Sequence, residues 1–195
     1  MRSIALCSLA ACLLLSACSV HESGNGNNKN VDIQTPMGSM SVKSNEAADT
    51  KAIGLAEYPG AKQVSDDDDH DNSKAANVNM SFGGFGLKVA AAHYHTSDST
   101  QKVQDFYKKE LSKYGNVLVC SPEDRESAKA DDNSDVLTCN DKGRGMHVNG
   151  GEKDDLELKA GTKHRQHIVA IKPKNGGTDF GLVFVEIRGG KENSM

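Results

Sequence analysis

The chain has 195 residues, a net charge of −4 at pH 7 and a hydrophobic fraction of 36%. This length allows one ordinary domain, and the low apolar content limits that domain to a small core. The net charge is mildly negative and gives no general attraction for nucleic acid, so nucleic acid is not an expected partner.

The first residues have the pattern of an export signal. Arg2 gives a positive start, and an apolar run follows over residues 4–15. This run is too short to span a bilayer, which needs about 20 residues, but it is typical of a secretory signal peptide. The ending Leu15-Ser16-Ala17-Cys18 resembles the lipobox of bacterial lipoproteins. We therefore predict that residues 1–17 are a signal peptide and that Cys18 is acylated.

The segment that follows Cys18 is polar and rich in glycine and asparagine. It has almost nothing to bury, so residues 18–30 are predicted to be the acylated cysteine and a flexible tether. Membrane attachment through this lipid is the expected partnership, and no cofactor other than the covalent lipid is expected. Ser19 resembles the sorting residue for the outer membrane, which places the protein there, facing the periplasm, if the source is Gram-negative.

Residues 31–190 are predicted to form one domain, followed by a polar tail over 191–195. Apolar and polar residues alternate around Pro36-Met37-Gly38, which indicates a hairpin. A second pair of strands is predicted over 77–82 and 87–96, joined by a glycine-rich turn. Residues 87–96 are apolar on both faces, which is typical of a strand in the middle of a sheet.

The clearest local element is a helix over residues 98–114. Asp98 and Gln101 fit a capping box, and Gly115 is well placed to end the helix. One face of this helix is apolar at the helical spacing, and we predict that it packs on the sheet; it consists of Val103, Phe106, Tyr107, Leu111 and Tyr114.

Five more strands are predicted over 116–120, 136–139, 156–160, 167–172 and 180–188. The predicted fold class is therefore α+β: an antiparallel β-sheet of about eight strands, with one main amphipathic helix packed on one face.

Two cysteines, Cys120 and Cys139, remain in the predicted exported domain. A disulfide is the default interpretation in an oxidising compartment. Two unpaired buried cysteines are the alternative, and a metal site is less favoured because the Cys-x-x-Cys spacing is missing.

Part of the chain is similar to a known type of domain. Tyr58-Pro59-Gly60-Ala61 forms a "YPGA" turn, and a strand and a helix of the form "T-x-D…V-x-x-F-Y-x-x-x-L" follow it. Over residues 54–115 this pattern resembles a domain of poorly characterised bacterial lipoproteins and secreted proteins. The resemblance implies export and a lipid anchor, and it implies no activity.

Three charged or histidine-containing groups are candidate binding sites. The acidic run over 66–71 and the group Asp131, Asn133 and Asp135 both lack the glycine and the final ligand of an EF-hand calcium loop. The basic cluster Lys163-His164-Arg165 is compatible with anionic lipid or with peptidoglycan carboxylates. A solvated charge run and a charged turn are the preferred interpretations.

His93 and His95 are predicted to share one face of a strand, where two imidazoles can chelate zinc or copper. A third ligand is not evident nearby, since His147, His164 and His167 are remote in sequence. We favour the alternative, that both histidines are ordinary strand residues.

The sequence contains no Gly-x-Ser-x-Gly elbow, no P-loop and no His-Glu-x-x-His motif. The expected function is therefore a non-catalytic binding or interaction module at the membrane, with an envelope protein or peptidoglycan as its partner. The alternative is a periplasmic transition-metal-binding protein that uses His93 and His95.

Overall fold

The computed structural model describes residues 18–25, 28–45, 50–64, 74–127, 135–139 and 155–189. The predicted signal peptide over 1–17, the acidic run over 66–71 and the predicted tail over 191–195 lie outside these residues. Of the second candidate calcium group, only Asp135 is described.

The described residues form ten strands and three helices. The strands are β1 (Ser19–Asn25), β2 (Asn28–Thr35), β3 (Gly38–Asn45), β4 (Lys62–Gln63), β5 (Ala75–Phe82), β6 (Phe85–Thr96), β7 (Leu118–Cys120), β8 (Leu156–Thr162), β9 (Arg165–Lys174) and β10 (Gly177–Arg188). The helices are α1 (Thr50–Ile53), α2 (Thr100–Leu111) and α3 (Pro122–Ser127), and a 3₁₀ turn over Ser112–Tyr114 extends α2.

All ten strands belong to one antiparallel sheet in the order β1-β2-β3-β5-β6-β10-β9-β8-β7, with β4 paired to β6. Tight turns connect three of the neighbouring pairs: Pro36-Met37, Gly83-Gly84 and Gly176 each stand where the chain reverses. The antiparallel sheet of the sequence prediction is confirmed, and the strand count is ten rather than about eight.

The largest difference from the sequence prediction is at the start of the domain. Residues 18–30 were expected to form a tether, but Ser19–Asn25 is β1 and β2 begins at Asn28. Every residue of β1 is exposed. The strand therefore has no alternation of buried and exposed side chains that the sequence could reveal. Its backbone pairs with β2 at the edge of the sheet.

One face of the sheet, here called the helix face, packs on α2. Val103, Tyr107 and Leu111 of α2 are fully buried there. They meet apolar side chains of β6, β8, β9 and β10, which include Tyr94, Leu158, Val169, Phe180 and Leu182. Phe106 is only half-buried and Tyr114 is 36% exposed, so the packed stripe is narrower than predicted.

The start of α2 also differs from the prediction. Ser99, not Asp98, is the N-cap residue, and its side chain makes no capping hydrogen bond. The Asp98 carboxylate instead accepts from Tyr58 Oη at 2.9 Å and pairs with Lys102 at 2.8 Å, while Gln101 donates to Asp105. Contacts of Asp98 with Tyr58 from outside the helix and with Lys102 from its first turn thus replace the capping box.

The opposite face of the sheet, here called the stripe face, carries a second and smaller apolar cluster. Val89, Ile168, Val183 and Val185 are buried on it. The strand register continues this cluster across the sheet as a row that reads Val20, Ile33, Met40, Met80, Leu87 and Ile187. Apolar residues on β1, β2, β3 and β5 therefore face away from α2.

The strand predicted over 136–139 is absent, because residues 135–139 have no strand conformation. The β7 partner is β8 instead, with Cys120 opposite Glu157. The short segment is held by its contacts: Lys163 N donates to the Asp135 carbonyl, and Leu137 is buried.

Candidate functional site

The two histidines singled out from the sequence lie together on the stripe face. They are two residues apart on β6, and side chains at that spacing in a strand point to the same face. Asp179 on β10 stands directly opposite His95, and Gly181 stands opposite His93. The group His93, His95 and Asp179 is called the histidine surface below.

Gly181 lies close to one of the imidazoles. A Cβ atom at this position would lie 3.4 Å from His93 Cε1 and 3.6 Å from His93 Nδ1. The His93 ring therefore lies over the β10 backbone, at a distance where a Cβ would make ordinary van der Waals contact with it.

Electrostatic contacts orient the other imidazole. His95 Nδ1 lies 2.6 Å from Asp179 Oδ1, and Lys174 Nζ lies 2.8 Å from Asp179 Oδ2. A carboxylate only accepts hydrogen bonds, so Nδ1 carries the proton and Nε2 is the acceptor nitrogen when the ring is neutral. Both side chains are partly exposed, at 35% for His95 and 23% for Asp179. The surface thus presents an oriented imidazole to solvent.

The arrangement does not amount to a closed metal centre. Among the described residues, no group of three or more histidine, cysteine, aspartate or glutamate side chains is placed to hold a metal ion. His164 lies in the turn between β8 and β9, His167 lies on β9, and His147 is outside the described residues. The surface supplies two imidazoles on one face, with Asp179 already engaged by His95 and Lys174.

The basic cluster Lys163-His164-Arg165 lies at the turn between β8 and β9 and has acidic neighbours. His164 Nδ1 lies 2.7 Å from Asp135 Oδ1, and Arg165 Nε lies 4.0 Å from Glu186 Oε2. Burial raises the pKa of Asp135, but hydrogen bonds from His164 and Thr162 outweigh it and lower the pKa overall. These pairs favour the charged turn over an anion-binding site.

A third histidine, which the sequence did not single out, is buried on the helix face. His167 is 3% exposed and its ring stacks on Tyr114, with ring centroids 3.7 Å apart. Burial, together with the nearby Arg165 cation, lowers the pKa of His167 from 6.5 to about 4. His167 Nδ1 has no hydrogen-bond partner in the described part of the chain. Its place in the apolar run before Ile168 was the signal of burial.

Several of the residues that carry the resemblance to a lipoprotein domain belong to the core on the helix face. Tyr58 packs edge-on against Phe106 at 5.1 Å, and Tyr94 stacks on Phe180 at 5.4 Å. Burial raises the pKa of Tyr94 to about 12, so its hydroxyl stays protonated and donates to Glu57 at 3.4 Å. These side chains hold α2 and the "YPGA" turn on the sheet.

The remaining predicted site residues are cysteines. Cys120 and Cys139 lie at disulfide distance, as predicted from the sequence, with their sulfurs 1.97 Å apart and their Cα atoms 5.4 Å apart. Cys18 is exposed and directly precedes β1. In the described part of the chain, none of the helices has the length and apolar character needed to cross a bilayer.

No family model, curated protein or solved structure matches the chain. The resemblance of residues 54–115 to a lipoprotein domain therefore stays a prediction from the sequence.

Proposed function

We propose that the protein is a bacterial envelope lipoprotein, a non-catalytic binding or interaction module that acylated Cys18 holds at the membrane. The observation that carries this proposal is Leu15-Ser16-Ala17-Cys18 at the end of an apolar run. An exposed cysteine at the very start of the folded sheet supports it, because acyl chains there would not disturb the core.

The cysteine pair of the domain also supports export. Disulfides persist in oxidising compartments and are rare in the bacterial cytosol. Ser19 favours the outer membrane, facing the periplasm, in a Gram-negative source. The partner we propose is an envelope protein or peptidoglycan, and no nucleic acid.

The test is membrane fractionation of cells that express the Cys18→Ala variant. We expect the variant to leave the membrane fraction and to lose labelling by a radioactive fatty acid. Cys12→Ala is the matched control, because this second cysteine lies inside the predicted signal and should change neither result. Unchanged membrane retention and acyl labelling in Cys18→Ala would contradict the proposal.

A second candidate is the binding of a transition metal by His93 and His95. The observation that favours it is the contact of His95 Nδ1 with Asp179, because metal-binding histidines commonly donate a hydrogen bond from their other ring nitrogen to a carboxylate.

Isothermal titration of the protein with zinc and copper tests this candidate. We expect micromolar or tighter binding that His93→Ala abolishes. His164→Ala is the control, because His164 also pairs with an aspartate but does not lie on the strand that carries His93 and His95. Binding that survives His93→Ala would reject the candidate.

A further inference from the structure

Exposed apolar side chains gather at one end of the sheet. Seven large apolar side chains are exposed in the described part of the chain, and four of them lie at this end: Val20 at 66%, Met37 at 68%, Phe82 at 55% and Phe85 at 40%. The end is formed by the start of β1, the β2–β3 turn and the β5–β6 turn. We call this set, Cys18, Val20 and residues 34–39 and 81–86, the Cys18 end.

Backbone pairing makes the Cys18 end one surface. Ser19 is opposite Gln34, so Cys18 lies beside the β2–β3 turn. The Gly83 amide donates to the Met37 carbonyl at 3.0 Å, which joins the β2–β3 turn to the β5–β6 turn. The exposed side chains therefore belong to one continuous surface at this end of the sheet.

The two turns contain no charge. Residues 34–39 read Gln-Thr-Pro-Met-Gly-Ser and residues 81–86 read Ser-Phe-Gly-Gly-Phe-Gly, in a chain of which 26% is charged. Arg188 lies beside Gly86, and its charge is paired with Glu186. Turns that face water are usually polar, whereas moving charge-free turns out of water carries a much smaller penalty than moving charged ones.

We propose that the Cys18 end docks on the surface of a lipid bilayer, with Met37, Phe82 and Phe85 at the boundary between headgroups and acyl chains. This inference rests on the proposed lipid anchor. β1 begins one residue after Cys18, so acyl chains on that cysteine enter the bilayer directly beside the apolar turns. A fold that follows its anchor without a tether must meet the membrane with this end.

A bilayer suits this surface better than a second copy of the chain does. A stable protein interface needs a complementary patch of about 1,000 Å² or more, whereas the exposed residues here stand on protruding turns. Lipid adapts to protruding side chains and needs no matching shape. The apolar row of the stripe face begins at Val20 and runs across the strands alongside this end.

Docking in this way fixes which part of the domain faces away from the membrane. Phe85 and His95 stand at opposite ends of β6, ten residues and therefore about 33 Å apart. The histidine surface would then point into the compartment, where a soluble ligand or partner can reach it.

The absence of tryptophan from the chain allows a direct test. Phe82→Trp places one fluorophore at the Cys18 end. Val119→Trp is the control, because Val119 is also exposed, at 40% against 55% for Phe82, but lies on β7, away from this end. Each full-length variant is purified from membranes and reconstituted into vesicles of phosphatidylethanolamine and phosphatidylglycerol that carry bromine on their acyl chains.

We expect bromine to remove most of the Phe82→Trp emission and to leave the Val119→Trp emission unchanged. Equal quenching of the two variants in protein that floats with the vesicles would overturn the docking and leave the lipid anchor standing. Quenching of Phe82→Trp in protein that carries no acyl group would reject the lipid anchor but support the docking of this end on the bilayer. Loss of both flotation and quenching would reject both.

Self-association is a separate outcome of the same experiment. A dimer in detergent that Phe82→Glu dissociates, with no bromine quenching of Phe82→Trp, would show that a second copy covers the Cys18 end. That result would overturn the lipid assignment.

Discussion

The buried imidazole of His167 shows how local packing lowers a pKa in this fold. The His167 ring lies between Tyr114 and Phe184, with ring centroids 3.7 Å and 4.9 Å away. Gly54 completes the site: its φ of +79° favours glycine, and a Cβ there would lie 3.3 Å from His167 Nε2. Tyr114 Oη donates to the Gly54 carbonyl and holds its ring over the histidine.

We predict that the protein loses stability as the pH falls from 6.5 to 4. The unfolded chain protonates His167 near pH 6.5, whereas the folded protein protonates it only near pH 4. Between these values the unfolded state binds the extra proton, so the free energy of unfolding falls, by about 3 kcal/mol across the window. Urea denaturation at several pH values measures this loss.

The matched variant for this prediction is His167→Phe, which keeps an aromatic ring against Tyr114 and does not titrate. The variant should lose most of the pH dependence between 6.5 and 4. Carboxylates with lowered pKa values, such as Asp98 and Glu110, should still destabilise it at lower pH as they protonate. An identical slope in the two proteins would show that His167 is not the titrating group.

At the scale of elements, α2 is the helix that packs on β8, β9 and β10. Leu111 is 0% exposed, whereas Phe106 is half-buried at the edge of the packed stripe. We predict that Leu111→Ala destabilises the protein by about 2–5 kcal/mol, since it removes buried methyl groups and leaves a cavity. Phe106→Ala should cost less than Leu111→Ala, because solvent already reaches part of its ring.

Chemical denaturation of both variants, with the exposed Lys109→Ala as control, measures the difference. Lys109→Ala should change the free energy of unfolding by less than about 0.5 kcal/mol. A larger loss from Phe106→Ala than from Leu111→Ala would mean that the helix packs through its other edge.

The sequence predicts elements well where side chains are sorted by face. The alternation over 77–82 and the helical spacing from Val103 to Leu111 both report burial, and β5, β6 and α2 follow from them. It fails for β1, where every side chain is exposed, and at the start of α2, where Tyr58 comes from a distant turn to bind Asp98. Neither backbone pairing nor a partner 40 residues away leaves a local pattern.

At the scale of the whole molecule, the long antiparallel strands separate two candidate surfaces. The common face of His93 and His95 was predictable from their spacing in a strand. The pairing of His95 with Asp179 depends on the register of β6 against β10, which the spacing along one strand does not contain. The Cys18 end was missed for a similar reason: Met37, Phe82 and Phe85 meet only once β3 pairs with β5.

The bond between Cys120 and Cys139 gives the last prediction for the molecule as a whole. It ties edge strand β7 to the segment over 135–139 and closes a loop with a sequence separation of 19. In the chain-entropy view, a loop of this size restricts the unfolded chain enough to stabilise the fold by about 3 kcal/mol. We predict that Cys120→Ser combined with Cys139→Ser lowers the free energy of unfolding by about this amount, measured by urea denaturation.

Reductant should destabilise the parent protein similarly and leave the double variant unchanged. Equal stability of parent and variant in the absence of reductant would contradict the prediction, as would thiol labelling of both cysteines in the unreduced parent. Because Cys120 is fully buried on an edge strand, a confirmed loss would also show that this edge takes part in the cooperative unfolding of the sheet.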